Sequence, residues 1–159
     1  MARRGQTKLK KVNPDPIYNS PLVTKLINRS MKDGKKSVAQ REVYKAFEII
    51  REKIGEDPIR VFAQAMEKIK PAMEVKSRRV GGAAYQVPMA VKGLRKESLG
   101  IRWLISAARG RSNTEFHTYA EKLATEIIES SKGEGAAVKK RQEIERISEA
   151  NRAFAHFNW

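Results

Sequence analysis

The run MEVKSRRVGGAAYQVPMA (Met73–Ala90), followed after Val91-Lys92-Gly93 by LRKESLGIRWLISAAR (Leu94–Arg109), changes period part-way and so decides the fold. Met73, Val75 and Ser77 alternate with Glu74, Lys76 and Arg78; beyond Gly81-Gly82, Tyr85, Val87 and Met89 alternate again. Two alternating runs about a Gly-Gly pair predict a β-hairpin over residues 72–90, because both glycines accept positive φ. Arms of about eight residues reach some 25 Å at roughly 3.3 Å per residue. A lone ribbon is marginal, so it is expected to project from a body and rest on a partner.

From Leu94 the spacing turns helical. At 100° per residue, Arg95, Arg102 and Arg109 fall on one line that drifts by only about 20° per heptad. Ser98 and Ser106 flank that line, while Leu99, Ile101, Trp103, Leu104, Ile105, Ala107 and Ala108 occupy the rest of the circumference. The reading is a helix buried nearly all round, with one narrow arginine stripe left over. No acid follows Glu97 within it, so the stripe, extended by Arg111, either binds an outside anion or pairs with acids elsewhere in the fold.

The flanks are helical too. Ser20-Pro21 reads as an N-cap with proline in the first turn, opening a helix that carries Leu22, Val23, Leu26, Ile27 and Met31 and stops at Gly34. A second helix over Lys36–Lys53 buries Val43, Tyr44, Phe47 and Ile50 or Ile54 and stops at Gly55. Asp57-Pro58 repeats the capped start for a third, carrying Val61, Phe62, Ala65, Met66 and Ile69 and closed by Pro71. Thr114-Glu115 is expected to open a fifth helix bearing Phe116, Tyr119, Leu123 and Ile127; a last one, Ala136–Ala150, is mostly polar. The expected fold is mainly α: a single-domain bundle of about six helices (1–159) with one projecting hairpin, a disordered basic arm (1–12) and a C-terminal tail (148–159).

Charge indicates what such a domain binds. The 159 residues hold 33 Lys and Arg against 18 Asp and Glu, a formal charge of +15. Small domains usually carry about 2 to 8, so this is a field awaiting a polyanion. Residues 1–12 contribute +5 (5 basic, 0 acidic) and residues 76–111 contribute +8 (9 basic, 1 acidic), together +13 of the +15. A basic surface serving solubility alone would not cluster in this way. No Cys occurs, which excludes a disulfide framework and a thiolate metal site and suits a reducing cytoplasm. No apolar run approaches the roughly 18 residues of a membrane span, so no membrane partner is expected.

The candidate nucleic-acid-binding residues follow. On the hairpin, Lys76, Arg78 and Arg79, with Gln86 opposite, extend the basic patch, and guanidinium forks suit phosphates and base edges. Tyr85 stacks on a base or, in phase with Val87 and Met89, packs inward. The arm residues Arg3, Arg4, Lys8, Lys10 and Lys11 form a tail that orders on nucleic acid or simply solvates the terminus. Lys139-Lys140-Arg141, followed by Glu143 and Glu145, reads as a solvated helix face. Catalysis has little to stand on. Asp15 and Asp57 precede proline and Asp33 precedes glycine, so all three read as turn or cap residues. His117 reads as a helix-surface residue, and His156 as part of an aromatic cluster with Phe154, Phe157 and Trp159. No phosphate-loop or dinucleotide fingerprint is present, and neither cofactor nor metal is expected.

Three segments together resemble a known family: DPIYNSPLVTKLINRSMKDGKK (Asp15–Lys36), EVKSRRVGGAAYQVP (Glu74–Pro88), and GAAVKKR with EANRAFAHFNW inside Gly135–Trp159. They are similar to the bacterial form of small-subunit ribosomal protein seven, in order and over almost the whole chain. The resemblance implies a helical bundle with an extended hairpin that binds the 3′ major domain of small-subunit ribosomal RNA and nucleates the head. It also implies that the hairpin and C-terminal region face exit-site transfer RNA and messenger RNA, beside neighbouring ribosomal proteins. Family RNA contacts map onto the arm, onto Asn28, Arg29, Lys35 and Lys36, and onto Lys76, Arg78 and Arg79, and the family's use of the arginine-stripe surface agrees with the helical reading. Arg78, Arg79, Gly81, Gly82, Tyr85 and Gln86 are the positions expected to face transfer and messenger RNA. Two other classes stay open on residues alone. A histone-like module would bind duplex DNA as well as RNA; an RNA-processing enzyme would need a carboxylate or histidine cluster.

Overall fold

The computed structural model describes residues 12–157. Six α-helices run in the order α1 (Pro21–Ser30), α2 (Lys36–Ile54), α3 (Pro58–Ile69), α4 (Leu94–Gly110), α5 (Tyr119–Lys132) and α6 (Ala136–Ala150). The antiparallel pair β1 (Met73–Val80) and β2 (Ala83–Ala90) lies between α3 and α4, and a 3-10 helix, Arg152–Phe157, follows α6. Mainly helical with one hairpin is therefore what the chain forms. Residues 1–11 of the basic arm (1–12), and the terminal Asn158 and Trp159, lie outside the described residues. Among the described residues no helix is long and apolar enough to cross a membrane.

Local chemistry accounts for most of the boundaries. Ser20 and Asp57 are N-caps with Pro in the first turn behind them; Asp57 accepts from the Ile59 N–H at 3.1 Å, whereas the Ser20 side chain makes no cap bond. Asp15 is a turn residue, as expected, and more: at 3 % exposure it accepts from the Tyr44 hydroxyl at 2.8 Å and from the Ile17 and Tyr18 N–H groups. This buried carboxylate ties the segment before α1 to α2. The Tyr18 ring then meets Phe47 edge-on at 5.0 Å.

One apolar cluster joins α1 through α6, with Leu26, Ile27, Phe47, Ile50, Phe62, Met66, Ile69, Leu104, Leu123 and Ile127 fully enclosed. Burying each such side chain contributes about 1.5–3 kcal/mol, so this cluster carries the fold. Helix α5 packs against α2, α3, α4 and α6. Its buried residues include Lys122, Glu126 and Ser130 beside Leu123, Ala124 and Ile127, so polar groups enter the interior along one side.

The fifth helix begins later than expected, at Tyr119 and not at Thr114. Thr118 caps it: its side chain accepts from the Glu121 N–H while the Glu121 carboxylate accepts from the Thr118 N–H. That reciprocal capping box outweighs Thr114, which has no acid three residues on. Phe116 and His117 consequently sit in the preceding loop, and the His117 N–H also donates to Glu121 at 2.9 Å.

The hairpin turns in two residues, with φ of +57° at Gly81 and +91° at Gly82. Both central positions lie in the left-handed region that suits a twisted ribbon, where a Cβ would strain the backbone. A two-residue turn fixes the register, pairing Val80 with Ala83, Arg78 with Tyr85, Lys76 with Val87 and Glu74 with Met89. At the root, Val87 and Pro88 are both buried although they point to opposite faces, so the ribbon is embedded there on both sides. Nor does β2 stand free further out: the Tyr85 ring lies 5.1 Å from Phe154 and 5.3 Å from Phe157 of the 3-10 helix. The packed reading of Tyr85 is the one observed, with its cover supplied by the C-terminal segment.

Candidate nucleic-acid interface

Helices α1 and α4 lie side by side and present their basic residues to one surface. Three ties set their registry: Lys25 pairs with Glu97, Arg29 Nη2 donates to Ser98 Oγ at 3.3 Å, and Arg109 Nη2 donates to the Ser30 carbonyl at 3.0 Å. A cavity of about 210 Å³ opens between the helices, lined by Arg29, Arg102, Ile105, Ser106 and Arg109. Three guanidiniums and a hydroxyl thus surround one space, and all four side chains belong to exposed residues. Such a cluster, anchored on two packed helices, is suited to one or two phosphate groups.

The surface continues in both directions. Asn28 and Arg29 border an adjoining groove of about 360 Å³ with Val12, Lys25, Leu94 and Ser98. On the other side Lys32 and Lys35 border a cavity that again includes Arg109. Lys36 is exposed at the first position of α2. Asn28, Arg29, Lys35, Arg102 and Arg109 are therefore brought onto one continuous surface. Sequence reasoning passed over Lys25, which lies one helical turn before Arg29 on α1, and Lys32, which lies just beyond the end of that helix.

The stripe is shorter than its spacing implies. Arg95 Nε is 2.8 Å from each oxygen of Glu74, with Nη2 2.7 Å from Oε2, so it braces the hairpin root. The Arg95 guanidinium, and Lys76 Nζ at 3.4 Å, hold the Glu74 carboxyl below its ordinary pKa of 4.5 against a partial desolvation that works the other way. Arg111 departs further. Helix α4 ends at Gly110, and the extended backbone at Arg111 turns its side chain toward α5. There its Nη2 sits 2.6 Å from Glu126 Oε2 and also pairs with Glu129, and the guanidinium lies 5.6 Å above the Phe116 ring. Acids elsewhere in the fold thus answer Arg95 and Arg111, and they do not answer Arg102 or Arg109 among the described residues. The cause is distance along the chain: Glu126 and Glu129 come from another helix.

Glu126 shows what that pairing supports. It is 0 % exposed, and its other oxygen accepts from the Ala137 N–H at 2.8 Å, capping the start of α6 in place of Gly135, which has no side chain to do so. A Cβ at Gly135 would come within 2.3 Å of Ser130 Oγ and 2.8 Å of Glu126 Oε1, so the glycine makes room for this cap.

On the hairpin, register divides the arginines between faces. Lys76 and Arg78 share the face of Val87 and Tyr85, which the 3-10 helix covers in part; Arg79 shares the opposite face with Ala84, next to the Ser77–Gln86 pair. Lys76, Arg79, Gly81, Gly82 and Gln86 are exposed, and Arg78 and Tyr85 are half-buried. Arg3, Arg4, Lys8, Lys10 and Lys11 lie outside the described residues. Among the described residues no three His, Cys, Asp or Glu side chains gather as a metal site would require.

The protein family described as "Ribosomal protein S7p/S5e" matches residues 2–152. Curated relatives agree over their full length. The chain is 52% identical over 159 residues to "Small ribosomal subunit protein uS7" of Carboxydothermus hydrogenoformans, covering 100% of both chains. The proteins of the same name from Moorella thermoacetica and Streptococcus mutans are also 52% identical, with 100% of each chain covered.

Proposed function

The chain belongs to the ribosomal protein S7p/S5e family, structural components of the small ribosomal subunit and not enzymes, and from that premise we propose that it acts as one RNA-binding domain whose α1–α4 face grips the 3′ major domain of small-subunit ribosomal RNA. Binding there nucleates assembly of the head, in the cytoplasm where the subunit works. The basic arm, Lys35, Lys36 and Lys76 widen the RNA contact. The hairpin, through Arg78, Arg79, Gly81, Gly82, Tyr85 and Gln86, together with the C-terminal region, meets exit-site transfer RNA and messenger RNA. Neighbouring ribosomal proteins complete the surroundings.

The observation that carries this reading is the convergence of Arg29, Arg102 and Arg109 on one open cavity. Arginines fixed by packing lose little freedom when they meet a phosphate. Binding by some six to ten phosphate contacts makes affinity fall about 10³- to 10⁵-fold between 50 and 200 mM salt, on the scale known for duplex DNA. Titrating the protein with a transcript of the 3′ major domain over that range, with duplex DNA as competitor, tests it. A flat salt response, or DNA competing on equal terms, would contradict the proposal.

A further inference from the structure

Next to the arginine cluster lies a cavity of different character, about 240 Å³, where the end of α1, the start of α2 and the first residue of α5 meet. Val38 and Ala39 give it an apolar wall, and Val38 leaves 44 % of its surface exposed there. The Tyr119 ring lines it and is held by a hydroxyl contact to Ser30 Oγ at 3.0 Å. Burial raises the Tyr119 pKa, so the ring stays neutral. Lys32, Lys35 and Arg109 stand at the same cavity, and so does one carboxylate, Glu42, which has no ion pair or hydrogen bond among the described residues. Glu42 stands where these three cations meet a neighbouring groove bordered by Glu48, Glu52 and Glu121, and on the side of the cations its carboxylate is open to donors from a ligand.

We propose that this cavity receives a single unstacked nucleobase of the bound RNA, guanine in preference, while the neighbouring phosphate lies on Arg109; the inference rests on the RNA-binding reading above. The size suits it, since drug-sized ligands occupy about 300–1,000 Å³ and a lone base needs less. Single-stranded loops and bulges are recognised in this way, by bases splayed onto aromatic or apolar side chains and read on their edges. A carboxylate only accepts hydrogen bonds. Guanine presents adjacent N1–H and N2–H donors, one for each Glu42 oxygen, whereas adenine and cytosine each set an acceptor beside their amino group. Arg109 lines both cavities, so base slot and phosphate cluster are contiguous.

Two substitutions in the full chain separate this slot from general electrostatics. Removing the Glu42 charge by E42Q should strengthen RNA binding if the residue only repels phosphate. The slot requires the opposite, a loss of about tenfold, within the range seen when one base–aromatic contact is removed. V38F, whose ring fills the slot from an exposed position, should cost a similar factor. Both variants should keep the wild-type melting temperature and the wild-type salt slope, because no phosphate contact is touched. Ultraviolet cross-linking of the wild-type complex should join one guanine to the peptide bearing Tyr119 or Val38. Wild-type RNA binding undiminished in E42Q and V38F overturns the slot and leaves the preceding reading intact. Absence of wild-type RNA binding overturns both.

Discussion

Arg109, near the end of α4, donates to the carbonyl of Ser30, the last residue of α1, at 3.0 Å. That carbonyl is among those a helix leaves without an internal partner, and the negative end of a helix dipole favours a cation beside it. The same guanidinium borders the open arginine cavity, so it serves the fold and the surface together. Arg102 borders that cavity with no ion pair or hydrogen bond among the described residues. R109Q should therefore lower stability by about 1 kcal/mol and also weaken RNA binding. R102Q should weaken RNA binding alone. Urea denaturation beside a binding titration checks the split, and equal stability losses would count against it.

The helix arginines should outweigh the hairpin arginines in docking. Arg102 and Arg109 stand on a helix pinned by Ile101, Leu104, Ile105 and Ala108, all buried. Arg78 and Arg79 stand beside the turn on opposite faces of a ribbon, whose backbone must also be ordered on binding. R102Q/R109Q should reduce affinity for ribosomal RNA more than R78Q/R79Q does, and flatten the salt slope by about two. The hairpin pair should spare head assembly and weaken exit-site ligands. The reverse ranking in a titration would remove the α1–α4 face from the binding role.

Arg111 should behave as a structural residue. R111A strands Glu126, 0 % exposed, without its cation, and breaking a buried pair on one side destabilises by about 3–5 kcal/mol. RNA affinity per folded molecule should change little, because the side chain faces α5. Thermal melts with affinity corrected for the folded fraction decide this. A large affinity loss at unchanged stability would return Arg111 to the interface.

The Glu74–Arg95 contact should be sensitive to acid. With the folded pKa of Glu74 held below 4.5 by Arg95, the stabilising charge is fully present above the unfolded value. It is lost as pH falls through the lower, folded value. Glu74 should thus titrate with a midpoint under 4.5 by NMR, and amide protection at the hairpin root should fall over the same interval. Protection lost already above pH 4.5 would refute the sign.

Helix positions were legible because Ser20-Pro21 and Asp57-Pro58 advertise starts and because apolar residues recur every three to four positions. The capping box Thr118-x-x-Glu121 was legible too, and should have displaced Thr114 as the start of α5. The exposed Arg102–Ser106–Arg109 line could be drawn from angles alone, since nothing in α4 competes with it. The partners of Arg111 could not, for an ion pair spanning 15 residues depends on how α4 and α5 dock. Tyr85 was decided by tertiary contact as well: alternation gives its face, whereas only packing shows Phe154 and Phe157 across from it. The slot beside Arg109 joins α1, α2 and α5, and no single segment carries its signature.

The aromatic contact between Tyr85 and Phe154 also has a consequence in time. Roughly 70 residues of chain separate them, and synthesis at about 5–20 residues per second takes some 4–14 s to cover that stretch. Over those seconds the nascent hairpin exists without its cover, with an aromatic ring and a newly made strand open to foreign contacts. Chaperones or early RNA capture would act most usefully in that window, and slower decoding between codons 85 and 154 should raise aggregation of newly made protein.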